Sequence, residues 1–309
     1  MSPTNPRILP YGEAAIAEAA AAIRAGQCVA VPTETVYGLA ADATDSRAVA
    51  GIYEAKGRPS FNPLIVHVPD LAAAEWIAVF DAGARMLAER FWPGPLTLVL
   101  PVWRDSGIAS LVTAGLDTIA IRVPAHRAMQ ALLAAAGVPL AAPSANASGG
   151  ISPTRAEHVA RSLAGRIPLV IDDGATAAGL ESTIVQGSRI LRPGPLTAEL
   201  LGFSEAGPVP VGEAVTAPGQ LASHYAPSKP LRLNAIAREP GEWLIGFGDI
   251  AGDDSLSPSG NLTEAAAKLF DSLHRADAAS APRLAIAPIP PHGIGAAIND
   301  RLRRAAHRD

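Results

Sequence analysis

Short apolar runs recur along this chain, and what separates them varies. Residues 28–31, 64–68, 96–102, 118–123, 139–142, 169–171 and 182–185 are brief and apolar, and they read as buried strands. Helical patterns stand between some of them. Residues 12–25 repeat Ile16, Ala20 and Ile23 on one face and stop at Gly26, Asp45 can cap a helix carrying Val49, Ile52 and Tyr53, and further helices begin near Ala125 and Thr154. The runs 96–102 and 118–123 follow one another without a convincing helix. This irregular alternation predicts an α/β fold with a twisted mixed parallel and antiparallel sheet flanked by helices.

At 309 residues the chain exceeds the usual single-domain size, and a break is visible. Between Phe203 and Pro230 the density of Gly and Pro fits neither helix nor central strand. The expected organisation is a larger domain over 1–203, a linker over 204–230 and a small Rossmann-like α/β domain over 231–309. In the last, strands at 231–233, 243–247 and 283–287 accompany helices at 263–275 and from Ile294.

Composition removes several classes. The chain is 49% hydrophobic and 17% charged, which excludes general disorder, and its net charge of −4 lacks the field of a protein that grips duplex nucleic acid through phosphates. Cys28 is the single cysteine, so internal disulfides and cysteine-cluster zinc sites are excluded, and it reads as a buried small side chain. The first residues lack the basic and apolar pattern of a secretory signal, which predicts a cytoplasmic protein. Residues 128–154 carry no charge, but Gly137, Pro139, Pro143, Ser144 and Asn146 interrupt them, so they read as helix, turn and strand, and no membrane partner is expected. No Walker loop, His-Glu-x-x-His or Gly-x-Ser-x-Gly is present, and Gly246-Phe247-Gly248 with Gly252 has the wrong spacing for a dinucleotide turn.

Polar clusters sit at the ends of the strand runs, where open α/β sheets bind ligands. After the first run, Thr33, Thr35 and Tyr37 alternate and would share one face if the extended geometry continues. Lys56 and Arg58 flank a glycine and precede a proline, which would present two cations from a tight loop, suited to polyphosphate or simply solvated. Ser144 and Asn146, with Ser148 and Ser152, lead into a Gly149-Gly150 turn that can offer amides to an anion or be an ordinary polar loop. Arg122 is an isolated charge within an apolar strand, which calls for a bound carboxylate, an internal salt bridge or an edge position. His67 poses the same choice within its strand.

In their order, Pro32-Thr33-Glu34-Thr35-Val36-Tyr37-Gly38-Leu39, Lys56-Gly57-Arg58-Pro59-Ser60-Phe61-Asn62-Pro63-Leu64, Phe91-Trp92-Pro93-Gly94-Pro95, Ala120-Ile121-Arg122-Val123-Pro124, Pro143-Ser144-Ala145-Asn146, Gly179-Leu180-Glu181-Ser182-Thr183-Ile184 and Arg192-Pro193-Gly194 resemble the threonylcarbamoyl-AMP synthase family. Ser223-His224-Tyr225-Ala226-Pro227 and Ala297-Ile298-Asn299-Asp300-Arg301 are similar to its longer, two-domain form. The resemblance implies a YrdC-like catalytic domain that converts L-threonine, bicarbonate or CO2, and ATP to L-threonylcarbamoyl-AMP and pyrophosphate, with Mg²⁺ accompanying ATP. A downstream tRNA threonylcarbamoyl transferase complex would use the product at position 37 of ANN-decoding tRNAs, so no stable nucleic-acid binding is expected.

By motif, the resemblance puts Thr35, His67, Arg122, Ala142 and Ser182 on threonine. It puts Lys56, Arg58, Asn62, Thr118, Ser144, Asn146, Ser152, Arg192 and Tyr225 on ATP, with Lys56 and Arg58 the catalytic cations and Tyr225 closing from the linker. No protein ligand to a metal is implied. Two other readings stand beside it. One is a carbamoyltransferase-like protein, whose architecture carries zinc-finger cysteines that this chain lacks. The other is a non-catalytic RNA-binding module, slightly supported by Arg301, Arg303, Arg304 and Arg308, although such charges at a helix end also serve as helix-dipole partners.

Overall fold

The computed structural model describes residues 5–59, 62–203 and 224–307. Most of the expected linker, 204–223, therefore lies outside the described residues, as do Ser60, Phe61 and Arg308. The chain opens with β1 (Arg7–Pro10), α1 (Glu13–Arg24) and β2 (Val29–Pro32), then turns into β3 (Tyr37–Asp42). Next come α2 (Ser46–Lys56), whose Asp45 cap accepts from the Arg47 amide as the sequence predicts, β4 (Ile65–His67), α3 (Leu71–Glu75) and α4 (Ala82–Phe91). β5 (Leu96–Pro101), α5 (Ser110–Thr113), β6 (Thr118–Arg122), α6 (Arg127–Ala136), β7 (Leu140–Ala141), α7 (Ala156–Ser162) and β8 (Leu169–Asp172) follow. β9 (Thr183–Gln186), β10 (Arg189–Arg192) and α8 (Ala198–Leu201) complete this part.

These strands form a ten-stranded sheet in the order β1-β8-β2-β3-β7-β4-β6-β5-β9-β10. It is mixed, as predicted: β5 runs antiparallel to β6, while β4 and β6 run parallel. Successive side chains point to opposite faces and most are buried, which places a core on each face. Ala30, Leu39, Ala41, Val66, Ile119 and Ile121 face one core, which also holds residues of α2, α4, α5 and α7. Val29, Val31, Ala40, Leu140 and Ala142 face another, filled by α1 and α6. That second helical layer does not extend over the β4-β6-β5-β9 part of the sheet. There Ile65, Val99, Ala120, Ile184 and Leu191 make only a thin apolar floor, and the cleft opens beside it.

Cys28 is buried as expected, and burial pushes its thiol up to about 12, so it is inert at neutral pH. Among the described residues no helix is long and apolar enough to cross a membrane.

The second sheet is small and wholly parallel. β11 (Leu231–Arg232), β12 (Glu242–Gly246), β13 (Asp254–Ser255), α9 (Leu262–Ala278), β14 (Arg283–Ile286) and α10 (Gly295–Ala306) give the order β11-β14-β12-β13. Its core includes Val36, Ile151, Leu180 and Tyr225 along with Leu269, Phe270, Ile298 and Leu302, so the two sheets share apolar packing at the mouth of the cleft. Gly179 makes this approach possible. It holds φ +67°, and a Cβ there would lie 2.4 Å from the Ala267 carbonyl oxygen of α9.

Candidate active site

The first wall of the cleft is the turn between β2 and β3. Because these strands pair antiparallel, with Pro32 opposite Tyr37, the chain reverses at residues 33–36 instead of continuing extended. Thr33 closes the turn: its Oγ1 donates to the Val36 carbonyl (2.7 Å) and accepts from the Thr35 and Val36 amides. The expected alternation of three hydroxyls on one face is thereby corrected. Thr33 and Thr35 line the cleft, whereas Tyr37 is in the core and donates its hydroxyl to the Gly174 carbonyl (2.7 Å).

Arg122 forms the floor. Its Nε donates to the Gly94 carbonyl (3.1 Å), Nη1 to Thr35 Oγ1 (3.0 Å) and Nη2 to Glu34 Oε1 (2.5 Å). The buried charge is thus matched by an internal ion pair, and the second oxygen of Glu34 accepts from the Ala125 amide. Parallel register sets His67 beside Arg122. Burial, and then the guanidinium, push the imidazole down to about 3, so it is neutral near pH 7. Ser182 shares a hydrogen bond with Thr97 (2.7 Å), and Arg192 donates both to its carbonyl and to its Oγ.

The cation segment differs from a pair presented from a loop. Lys56 ends α2, Gly57 takes the left-handed conformation that stops the helix, and Arg58 follows in the loop. Lys56 is 2% exposed, and its ammonium donates to the carbonyls of Ser144 (2.5 Å) and Asn146 (2.6 Å). Burial, and then Arg58, hold its pKa well below the usual lysine range. Arg58 donates to the carbonyls of Asn62 and Pro63, lines the cleft, and is pushed down to about 10 by burial. Asn146 buttresses the glycine turn by donating to the carbonyls of Ala147 and Gly150.

The second unit supplies the roof. Tyr225 is 1% exposed, holds φ +65°, and its ring lies 5.3 Å from the Arg301 guanidinium carbon and 5.5 Å from the Phe270 ring. The segment is pinned where the Ala226 amide donates to the Gly149 carbonyl (2.8 Å). With Tyr225 in place the cleft encloses about 40 Å³, room for a few waters and not for a nucleotide.

One cleft therefore gathers Thr35, His67, Arg122, Ala142, Ser182, Arg58, Ser144, Arg192 and Tyr225. Lys56, Asn62, Asn146 and Ser152 are buried but do not line it. Thr118 stands apart, at the opposite end of β6 from Arg122, about 13 Å along the strand. Sequence reasoning gave no place in the cleft to Glu34, Glu181, His224 or Arg301. Glu181 lines the cleft, accepts from Ser152 Oγ, and pairs with Arg301 Nε (2.9 Å). Arg301 is fully buried, so it is neither a tail charge for RNA nor a helix-dipole partner; Arg304 pairs with Asp300. Its signal was its place among Ala297, Ile298, Leu302 and Ala305 on the buried face of α10.

Residues 21–194 match the family described as Telomere recombination, and residues 196–307 match the one described as Threonylcarbamoyl-AMP synthase, C-terminal domain. A threonylcarbamoyl-AMP synthase of Bacillus subtilis is 40% identical, covering 94% of this chain and 92% of its own. One of Pyrococcus abyssi is also 40% identical, covering 93% of each chain. The crystal structure of P. abyssi Sua5 complexed with L-threonine superposes with a TM-score of 0.88 at 38% identity, covering 97% of both chains.

Proposed function

This chain belongs to the threonylcarbamoyl-AMP synthase family, and from that premise we propose that it condenses L-threonine, bicarbonate or CO2, and ATP into L-threonylcarbamoyl-AMP and pyrophosphate. In enzymological terms it is a nucleotidyltransferase. The observation that carries the reading is the single buried cleft in which a paired arginine, a neutral histidine and several hydroxyls meet two further arginines and an aromatic roof. The relative crystallised with L-threonine supports the amino-acid half of it.

Arg122 takes the threonine carboxylate while Glu34 and Thr35 keep its fork oriented. His67, Ser182 and the backbone at Ala142 surround the rest of the amino acid. The neutral threonine amine attacks CO2, losing one proton and forming a carbamate. A carbamate oxygen then attacks the α-phosphorus of ATP, and the bond to pyrophosphate breaks. Arg58 and Arg192 stabilise the charge that develops on the phosphates, with Lys56 behind them holding the Ser144–Asn146 segment. Asn62, Thr118, Asn146 and Ser152 belong to the nucleotide side as carried over from the motifs. Mg²⁺ belongs to this reading as part of the MgATP substrate. The reading puts the enzyme in the cytoplasm, supplying the transferase that modifies ANN-decoding tRNAs.

The test is incubation with MgATP and bicarbonate, with and without L-threonine, reading pyrophosphate and the mass of the adenylate. Threonine-dependent pyrophosphate with a threonylcarbamoyl-AMP mass is expected; ATP binding without either product would overturn the reading.

The roof gives a separate prediction. Tyr225 must move for ATP to enter and then close over it, so Tyr225→Ala is expected to raise the nucleotide dissociation constant about tenfold, the worth of one aromatic contact. Calorimetric titration with a non-hydrolysable ATP analogue checks this. Unchanged or tighter binding would remove the closing role.

A further inference from the structure

A second cavity lies at the seam between the two units, bounded by α7 on one side and by α9 and β12 on the other. It holds about 340 Å³ and is lined by His158, Arg161, Trp243, His274, Arg275 and Ser280, with Ala278 and Ala279. All six polar side chains can donate hydrogen bonds, and among the described residues no carboxylate lines the space. The Trp243 indole Nε1 is buried and has no acceptor among the described residues. A buried N–H in that state calls for an acceptor that the described residues do not supply.

The charges around the cavity are unevenly matched. Arg275 is neutralised by Asp254 and Asp271, and Asp271 also meets Arg155 and His158. Arg161, by contrast, is exposed and makes no hydrogen bond or ion pair among the described residues, not even with Glu157 one helical turn away. The carbonyl end of α9 would ordinarily repel an anion here. Lys229 covers it, its ammonium donating to the carbonyls of Ala276 and Ala279.

We propose that this seam cavity binds a small oxyanion of phosphate type, held by the Trp243 indole N–H and the Arg161 guanidinium. The site is distinct from the catalytic cleft but close to it. His274, whose ring stacks on His158 at 3.8 Å, shares a hydrogen bond between its Nε2 and the Ser152 carbonyl (3.1 Å), and Ser152 Oγ donates to Glu181 of the cleft. The proposal stands on the cavity alone and does not depend on the reaction assigned above.

The test follows the four indole N–H resonances of the ¹⁵N-labelled full chain during titration with inorganic phosphate. The Trp243 signal is identified by its loss in Trp243→Phe. It is expected to move saturably at millimolar phosphate, and Arg161→Gln should weaken that response at least tenfold without lowering the melting temperature. A parallel titration with ADP separates the sources: a response at tenfold lower concentration, equally sensitive to Arg161→Gln, assigns the site to a nucleotide phosphate, and one no tighter than phosphate assigns it to the free ion. A Trp243 signal that neither titrant moves, or one that moves identically in Arg161→Gln, overturns the site.

Discussion

Lys56→Ala is expected to lower threonine-dependent pyrophosphate release at least about a thousandfold while L-threonine still binds. The ammonium is buried and donates to two carbonyls of the segment that carries Ser144. Alanine would leave both oxygens without this donor, at about 1–3 kcal/mol for each that water cannot reach. That penalty is relieved only if the segment shifts, and Ser144 then leaves the nucleotide side of the cleft. The lost charge adds to this, since removing one stabilising donor at developing negative charge typically costs about 10²–10³ in turnover. The threonine side has different supports: Thr35 and Glu34 hold Arg122, and Thr97 and Arg192 hold Ser182. Threonine affinity should therefore stay within about threefold. Steady-state pyrophosphate assays and threonine calorimetry on the same preparation separate the two effects. Retained turnover would exclude Lys56 from any part in the phosphate site.

The sheet was legible where apolar strands are buried on both faces: 28–31 lies between two helical layers, and 64–68 and 118–123 lie between helices on one side and a thin apolar floor on the other. It was not legible at β1. Arg7–Pro10 is mostly exposed and shows no alternation, and it is a strand only because it pairs with Leu169–Asp172 far along the chain. The turn at Thr33 was misread because threonine is favoured both in strands and in side-chain-closed turns, and only the pairing of β2 with β3 decides between them.

For the site, residue types were readable but partners were not. An arginine inside an apolar strand required an answering anion, and Glu34 was already in the quoted motif; its identity as that anion depends on the crossing that brings β3 near β6 through β7 and β4. Likewise Lys56 was readable as a cation, while the carbonyls it holds are 88 and 90 residues away. Arg301 was the clearest missed signal, a charge in register with the apolar face of its own helix.

The same burial that shapes the cleft should make the protein acid-labile in a narrow window. His67 and His274 are both pushed from 6.5 down to about 3, in each case first by burial, then by Arg122 for His67 and by His158 for His274. His224 is also held well below its ordinary range, by burial and then by Arg58. Between about pH 3 and 6.5 the unfolded chain binds protons that the folded chain refuses, so stability rises with pH across that window and is fully present above it. At pH 5.0 the penalty is about 2 kcal/mol for each of His67 and His274, or about 4 together, against a total stability of about 5–15. Buried carboxylates do not blur the effect there. Glu181 and Asp271 are held below their ordinary values, so they lose their contribution only at lower pH. The melting temperature should therefore fall by roughly 10 °C between pH 7.5 and 5.0, and the double variant His67→Asn, His274→Asn should recover most of that fall. A melting temperature that is flat across this interval, or a fall unchanged in the double variant, would mean that these histidines accept protons in the folded state and that their surroundings are wetter than the packing around the cleft and the seam implies.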